Sequence, residues 1–155
     1  MKLPAPVILA SLALLGSVRL ATAQLIVTGV RDLNFGTVIQ GIGSTVAPAD
    51  PVRSGQFYFR TPGIGTRVRI QFTLPTVLNG PTGATMPIAF GNTDAIAQGT
   101  APTSVRVTFN PNGARTFTMT SSADANVWLG GRVTPAANQR VGGYTNTVVM
   151  TVTIF

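Results

Sequence analysis

The sequence predicts an all-β protein: an antiparallel β-sandwich or barrel of about seven to nine strands that follows a cleaved export signal. From Gln24 onward the chain is rich in Thr and Val, whose β-branched side chains favour strands. The 17 glycines and 11 prolines of the full chain provide frequent turns. Several short segments alternate apolar and polar residues, as a strand does when one face is buried. Such strands, separated by turns every 8–12 residues or so, are typical of sandwiches and barrels.

The first 23 residues have the features of a Sec-type signal peptide. Lys2 precedes an apolar run at 4–15, and Ala21-Thr22-Ala23 is a small-x-small cleavage site before Gln24. The run is too short to cross a bilayer as a helix, and no later segment could do so. We therefore expect one domain, residues 24–155, in the periplasm, on the outer cell surface or outside the cell. An uncleaved N-terminal anchor is the alternative.

The clearest strand is residues 67–74, where Val68, Ile70 and Phe72 point one way and Arg67 and Arg69 the other. Residues 104–109 and 115–120 repeat this pattern around a turn at Asn110-Pro111-Asn112-Gly113, which predicts a hairpin. Residues 93–98 suggest a single helical turn. The other predicted strands are 25–30, 33–38, 56–59, 86–90, 127–133 and 144–155.

The composition argues against an enzyme. The chain has no His and no Cys, so the usual catalytic base, the thiolate nucleophile and the common zinc ligands are missing. Its four acidic residues are widely spaced, so no motif pairs two carboxylates or clusters oxygens for calcium; they are Asp32, Asp50, Asp94 and Asp124. We expect no catalytic residue, no metal and no cofactor.

The basic residues suggest an anionic partner. The full chain has a formal net charge of +7, and Arg67, Arg69 and Arg106 fall on the polar faces of predicted strands. If those strands are neighbours, the three form a patch that could contact an acidic polysaccharide or another anionic surface. The alternative is that they keep the protein soluble and protect sheet edges. Phe57 and Phe59 fit a core better than a base-stacking surface, so we expect no nucleic-acid partner.

Three short motifs resemble a known family. Residues 32–38 (DLNFGTV), 128–135 (WLGGRVTP) and 143–155 (GYTNTVVMTVTIF) resemble the bacterial secreted family called domain of unknown function 4402. They also resemble its relatives, the spore-coat-protein-U-like subunits and the chaperone–usher pilins. The matching positions are Leu33, Phe35, Gly36, Trp128, Gly130, Gly131, Gly143 and Tyr144. Independently of the family, a buried Tyr144 could cap a sandwich corner through its hydroxyl.

The resemblance implies an immunoglobulin-like, pilin-like sandwich that serves as a building block. In such pilins the sandwich lacks one strand, and the N-terminal extension of a neighbouring subunit fills the groove. A periplasmic chaperone first holds the C-terminal strand. The positions implied to face the chaperone or complete the core are Val148, Met150, Val152, Ile154 and Phe155. Leu25, Ile26 and Val27 are the nearest equivalent of a donor segment.

The chain departs from the pilin pattern in two respects. Only residues 24–29 precede the first motif, which is short for a donor arm, and the Cys pair common in these subunits is absent. Two hypotheses therefore remain. The first is a secreted structural subunit of a surface fibre, coat or matrix that assembles with itself or with homologous subunits. The second is a self-contained binding module for acidic polysaccharide.

Overall fold

The computed structural model describes residues 24–155. The predicted signal peptide and its cleavage positions Ala21 and Ala23 lie outside the described residues, which begin at Gln24. The described chain is built of strands and one 3₁₀ turn at Pro81–Gly83. The strands are β1 (Ile26–Arg31), β2 (Ser44–Val46), β3 (Gly55–Arg60), β4 (Arg67–Thr73), β5 (Val77–Asn79), β6 (Thr85–Ala89), β7 (Ala95–Gly99), β8 (Val107–Phe109), β9 (Arg115–Thr118), β10 (Asp124–Leu129), β11 (Gly131–Val133) and β12 (Val149–Ile154).

The strands form three sheets, and every strand pair is antiparallel. The front sheet has five strands in the order β1-β3-β10-β7-β8. The back sheet has three strands in the order β12-β4-β9. A side sheet of four strands has the order β2-β11-β6-β5. The predicted all-β sandwich is thereby confirmed, but the described residues form twelve strands rather than about seven to nine, because several are only three residues long.

The core lies between the front and back sheets, and alternation along the strands produces it. In β4, Val68, Ile70 and Phe72 are buried while the residues between them are exposed. In β10 the buried positions are Ala125, Val127 and Leu129. The core continues through three ring contacts: Phe57–Phe72 (5.6 Å between centroids), Phe72–Phe109 (6.4 Å) and Phe109–Phe117 (5.4 Å).

Gly130 marks the point at which the chain leaves one sheet for another. β10 belongs to the front sheet, and β11, which follows after Gly130, belongs to the side sheet. The side sheet has a small core of its own, formed by Met86, Ile88 and Val133. The predicted single strand at 127–133 is therefore two strands in two sheets.

Two predicted elements are wrong. Residues 104–109 and 115–120 do not form a hairpin, because β8 pairs with β7 in the front sheet and β9 pairs with β4 in the back sheet. The turn between them crosses from one sheet to the other, so Phe109 and Phe117 meet through their side chains. Residues 93–98 do not form a helical turn either. Ala95–Gly99 is β7, an inner strand between β10 and β8, where neighbours on both sides override local propensity.

Two further boundaries differ from the prediction. Residues 33–38 are not a strand, and the last strand begins at Val149 rather than at Tyr144. Thr145 forms only an isolated bridge with Asn79. In the part of the chain that the structure describes, no helix is long and apolar enough to span a membrane.

Candidate functional site

The front and back sheets differ in width, and this leaves one side of the sandwich open. The front sheet has five strands and the back sheet three. On one side the edge strands β8 and β9 meet through Phe109 and Phe117. The opposite edges are β1 in the front sheet and β12 in the back sheet. In the described chain, β1 pairs only with β3 and β12 only with β4, so both have an unpaired backbone edge.

A groove of about 1020 Å³ lies between the end of β1 and the segment that leads into β12, without contact to β12 itself. One wall is formed by residues 29–38, which include the end of β1, and the other by residues 139–148, which lead into β12. We call this the acceptor groove. Its apolar floor consists of Phe57, Leu78, Met86, Ile88, Leu129 and Val133.

β1 is exposed on both faces, which is unusual for a strand of a sandwich. Five of its six residues are exposed, including Ile26 (45% exposed) and Val30 (54%). Val27 and Gly29 lie opposite Phe59 and Phe57 in the ladder and so point toward the back sheet. In the described residues no strand pairs with β12 on the side away from β4.

The backbone of β12 is oriented to receive an added strand. The amide N–H of Phe155 donates to the carbonyl oxygen of Arg67 on β4, at 3.2 Å. Because hydrogen-bonding direction alternates along an antiparallel edge strand, the backbone groups of Met150, Val152 and Ile154 point away from β4. These are the groups that an added strand would pair with.

Tyr144 secures the wall of the acceptor groove that leads into β12. Its hydroxyl donates to the carbonyl oxygen of Arg140 at 2.7 Å and accepts from Nε2 of buried Gln139 at 2.6 Å. The ring packs on Gly80, where a Cβ would overlap it. A tyrosine hydroxyl bonded to the backbone a few residues upstream is the corner device of many sandwiches.

Tyr144→Phe is expected to lower the free energy of unfolding by about 1–2 kcal/mol, because it removes the hydroxyl and leaves the buried Gln139 amide with one partner fewer. Urea denaturation of residues 24–155 measures the change. Tyr58→Phe is the matched control, since the Tyr58 hydroxyl bonds to Asp124 on an outer face. An equal loss in both variants would contradict this role of Tyr144.

The three family-like motifs lie in two places. Leu33, Phe35 and Gly36 line one wall of the acceptor groove, and Gly143 and Tyr144 line the other. Gly36 has φ of 67°, and its N–H donates to Oδ1 of Asn34 at 2.8 Å, which makes a tight turn in the wall. Gly130 and Gly131 occupy the switch between sheets, and Trp128 lies on the outer face of the front sheet, half-buried.

Only some of the residues proposed for strand exchange are free to contact another chain. The side chains of Met150 and Val152 are buried in the protein's own core. Ile154 and Phe155 are exposed, whereas Val148 lines the groove and packs against the core. Ile26 and Val27 already belong to β1 and pair with β3, and Leu25 packs against the core. A donor role for this segment therefore requires β1 to leave β3.

The three arginines proposed as one patch do not come together. Arg67 and Arg69 lie on the outer face of the back sheet. The guanidinium of Arg106 lies 5.5 Å from the ring centroid of Trp128, on the outer face of the front sheet. The condition for a common patch was that their strands are neighbours, and β4 and β8 belong to different sheets.

The titratable groups of the front sheet form a small surface cluster. Oδ1 of Asp124 accepts from the Tyr58 hydroxyl at 2.8 Å and from Nε of Arg60 at 2.9 Å. The hydrogen bond to this carboxylate raises the pKa of Tyr58 above its ordinary value of 10.0. Within residues 24–155, no three His, Cys, Asp or Glu side chains gather as a metal site would require.

Comparison with known proteins returns no relative. The chain matches no protein-family model, no curated protein and no solved structure.

Proposed function

We propose that this chain is a secreted, non-enzymatic structural protein: a pilin-like or coat-like subunit of a bacterial surface fibre or extracellular matrix. In this proposal the acceptor groove takes an extended segment from a neighbouring subunit. Two observations support the proposal: β1 and β12 each keep an unpaired edge, and the end of β1 and the segment that leads into β12 line the same groove.

The free backbone edge of β12 supports strand addition. A fourth strand beside β12 would lie about 4.8 Å from it, opposite the front sheet. Its backbone would pair with the free groups of Met150, Val152 and Ile154. Its side chains would cover Phe57 on β3, which the present back sheet leaves half-buried. Backbone pairing would supply affinity, and the apolar floor would select alternate side chains.

The donor in this proposal is the N-terminal segment that carries Leu25, Ile26 and Val27. β1 buries little of its side-chain surface, so its release from β3 gives up backbone hydrogen bonds but little apolar contact beyond Leu25. Before assembly, a periplasmic chaperone could cover the same edges by inserting a strand of its own. Exposed edges of this kind otherwise invite aggregation.

Disulfide trapping between two separately purified proteins tests the proposal, since the chain has no cysteine of its own. One protein carries Thr151→Cys in the middle of β12. Its partner carries Ile26→Cys, Val27→Cys or Thr28→Cys, so that three neighbouring registers are sampled. We expect one partner to give a mixed disulfide between chains, because bridged cysteines need Cα atoms within about 7 Å.

The control partner is Val105→Cys, which is 78% exposed and lies just before β8. Residues 24–155 should also elute as oligomers and show fibres by negative-stain electron microscopy. A stable monomer that traps no more with β1 cysteines than with the control would overturn the proposal and leave the self-contained sandwich as the better description.

A further inference from the structure

The outer face of the back sheet is a mostly polar surface, and the strand register shows which residues belong to it. Arg69 on the middle strand β4 lies between Thr116 on β9 and Thr153 on β12, and Arg67 lies next to Thr118. Residues directly opposite each other in antiparallel strands point to the same face. We call this surface the threonine–arginine face. Its members, all exposed, are Arg67, Arg69, Gln71, Thr73, Thr116, Thr118, Val149, Thr151, Thr153 and Phe155.

This face carries two arginines and no aspartate. The four aspartates of the chain, at positions 32, 50, 94 and 124, lie outside β4, β9 and β12. Elsewhere Arg53 pairs with Asp50 at 3.0 Å and Arg60 pairs with Asp124 at 2.9 Å. Within the described residues, Arg67 and Arg69 form no ion pair.

The fold gives neither Arg67 nor Arg69 an evident structural role. β4 is paired on both sides, by β12 and by β9, so Arg67 and Arg69 cannot be protecting a sheet edge. Arg67 makes one notable contact, its guanidinium lying 5.0 Å from the ring centroid of Phe155. That contact holds the guanidinium against the sheet while its N–H donors remain open to a ligand.

We infer that the threonine–arginine face binds an acidic polysaccharide, with Arg67 and Arg69 contacting its acidic groups and the threonine hydroxyls and Gln71 its sugar hydroxyls. The inference does not rest on strand assembly, because the face is exposed in the single chain.

The chemistry of the face favours a polysaccharide over other polyanions. Arg67 and Arg69 are two residues apart on one strand, which spaces them about 7 Å along it, and a guanidinium can hold a carboxylate through two parallel hydrogen bonds. Hydroxyl and amide groups surround them, which matches a sugar polymer rich in hydroxyls. A protein that binds duplex DNA typically makes roughly six to ten phosphate contacts. Binding to an anionic membrane typically uses a cluster of about four to eight basic residues. This face has only two basic residues.

Affinity electrophoresis in gels that contain polygalacturonate tests the inference, with dextran as the neutral polymer. The mature protein should be retarded by polygalacturonate and not by dextran, and added salt should weaken the effect. Arg67→Gln combined with Arg69→Gln should weaken binding about tenfold or more. The control combines Arg106→Gln with Arg132→Gln, which removes the same charge from exposed positions outside the face.

Each result of the electrophoresis either supports or overturns the inference. Loss of retardation in the Arg67/Arg69 variant, with the control variant still retarded, supports the inference, provided that both variants melt as the parent does. Equal loss in both variants means that only net charge matters, and absence of retardation in the parent means no binding; either result overturns the inference. Binding to duplex DNA or phosphatidylserine vesicles but not to polygalacturonate would overturn it in favour of that partner.

Discussion

Phe59→Ala is expected to lower the free energy of unfolding by about 3–5 kcal/mol, because it removes a whole aromatic ring from the centre of the core. Phe59 lies on β3, the second strand of the front sheet, paired with Val27 on one side and with Ala125 on the other, and it is 1% exposed. Because β3 is paired on both sides, its backbone is expected to stay in place when the ring is removed. The loss therefore includes both the transfer of the ring and the cavity.

Urea denaturation of residues 24–155, followed by circular dichroism, measures this loss. Phe155→Ala is the matched control, because the same side chain is removed from a position that is 59% exposed. Surface substitutions usually change stability by no more than about 0.5 kcal/mol. A loss of less than 1.5 kcal/mol or so at Phe59 would mean that the front and back sheets do not pack around it.

Gly130→Ala is expected to lower the free energy of unfolding by about 1–3 kcal/mol, although a glycine-to-alanine change often stabilises a protein. A Cβ at Gly130 would overlap the carbonyl oxygen of Val46 and would lie 2.7 Å from the backbone nitrogen of Pro48. Both obstacles are backbone atoms, so a side-chain rotation cannot relieve the overlap. Either the segment that follows β2 shifts or the switch between β10 and β11 opens.

Gly113→Ala is the matched control for this prediction. Nothing lies within 4 Å of a Cβ at Gly113. A neutral or slightly stabilising effect, up to about 1 kcal/mol, is expected there because alanine restricts the unfolded chain. Thermal melting of the two variants beside the parent measures both effects. If Gly130→Ala melted as the Gly113→Ala variant does, the close approach of Gly130 to residues 46–48 would be contradicted.

A substitution at Gly130 should affect the acceptor groove as well as the stability of the fold. The switch at Gly130 sends β11 into the side sheet, and β11 carries Val133 to the groove floor beside Met86 and Ile88. A displaced β11 should therefore weaken strand capture as well as stability. The disulfide-trapping experiment, repeated in the Gly130→Ala background below its melting temperature, would show reduced trapping.

The local part of this structure could be predicted from the sequence. In β4 the alternation of Val68, Ile70 and Phe72 with arginine and glutamine predicted both the strand and its buried face, because alternate residues of any strand face opposite sides. Met150 and Val152 alternate with exposed residues in the same way along β12 and are buried. The family resemblance singled out Leu33, Phe35 and Tyr144, but it did not indicate that they line two walls of one groove.

Pairing between strands was harder to predict, because it depends on residues far apart in sequence. Residues 104–120 looked like a hairpin since two alternating segments flank a turn, but the same pattern suits a connection that crosses between sheets. For Ala95–Gly99, the backbone hydrogen bonds to β10 and β8 decided the conformation. The groove floor at Leu78, Met86 and Ile88 had no local signal, since these residues look like any other core positions.

By itself, then, the amino-acid order determined that the chain is all-β, which side chains of its clearest strands point inward, and that histidine and cysteine chemistry is absent. The tertiary structure decided the strand order, and with it that five strands face three, that β1 and β12 each keep an unpaired edge, and that Arg106 is separated from Arg67 and Arg69. The physical reason is that side-chain alternation is a property of each strand alone. The choice of neighbours depends on how whole sheets share one core.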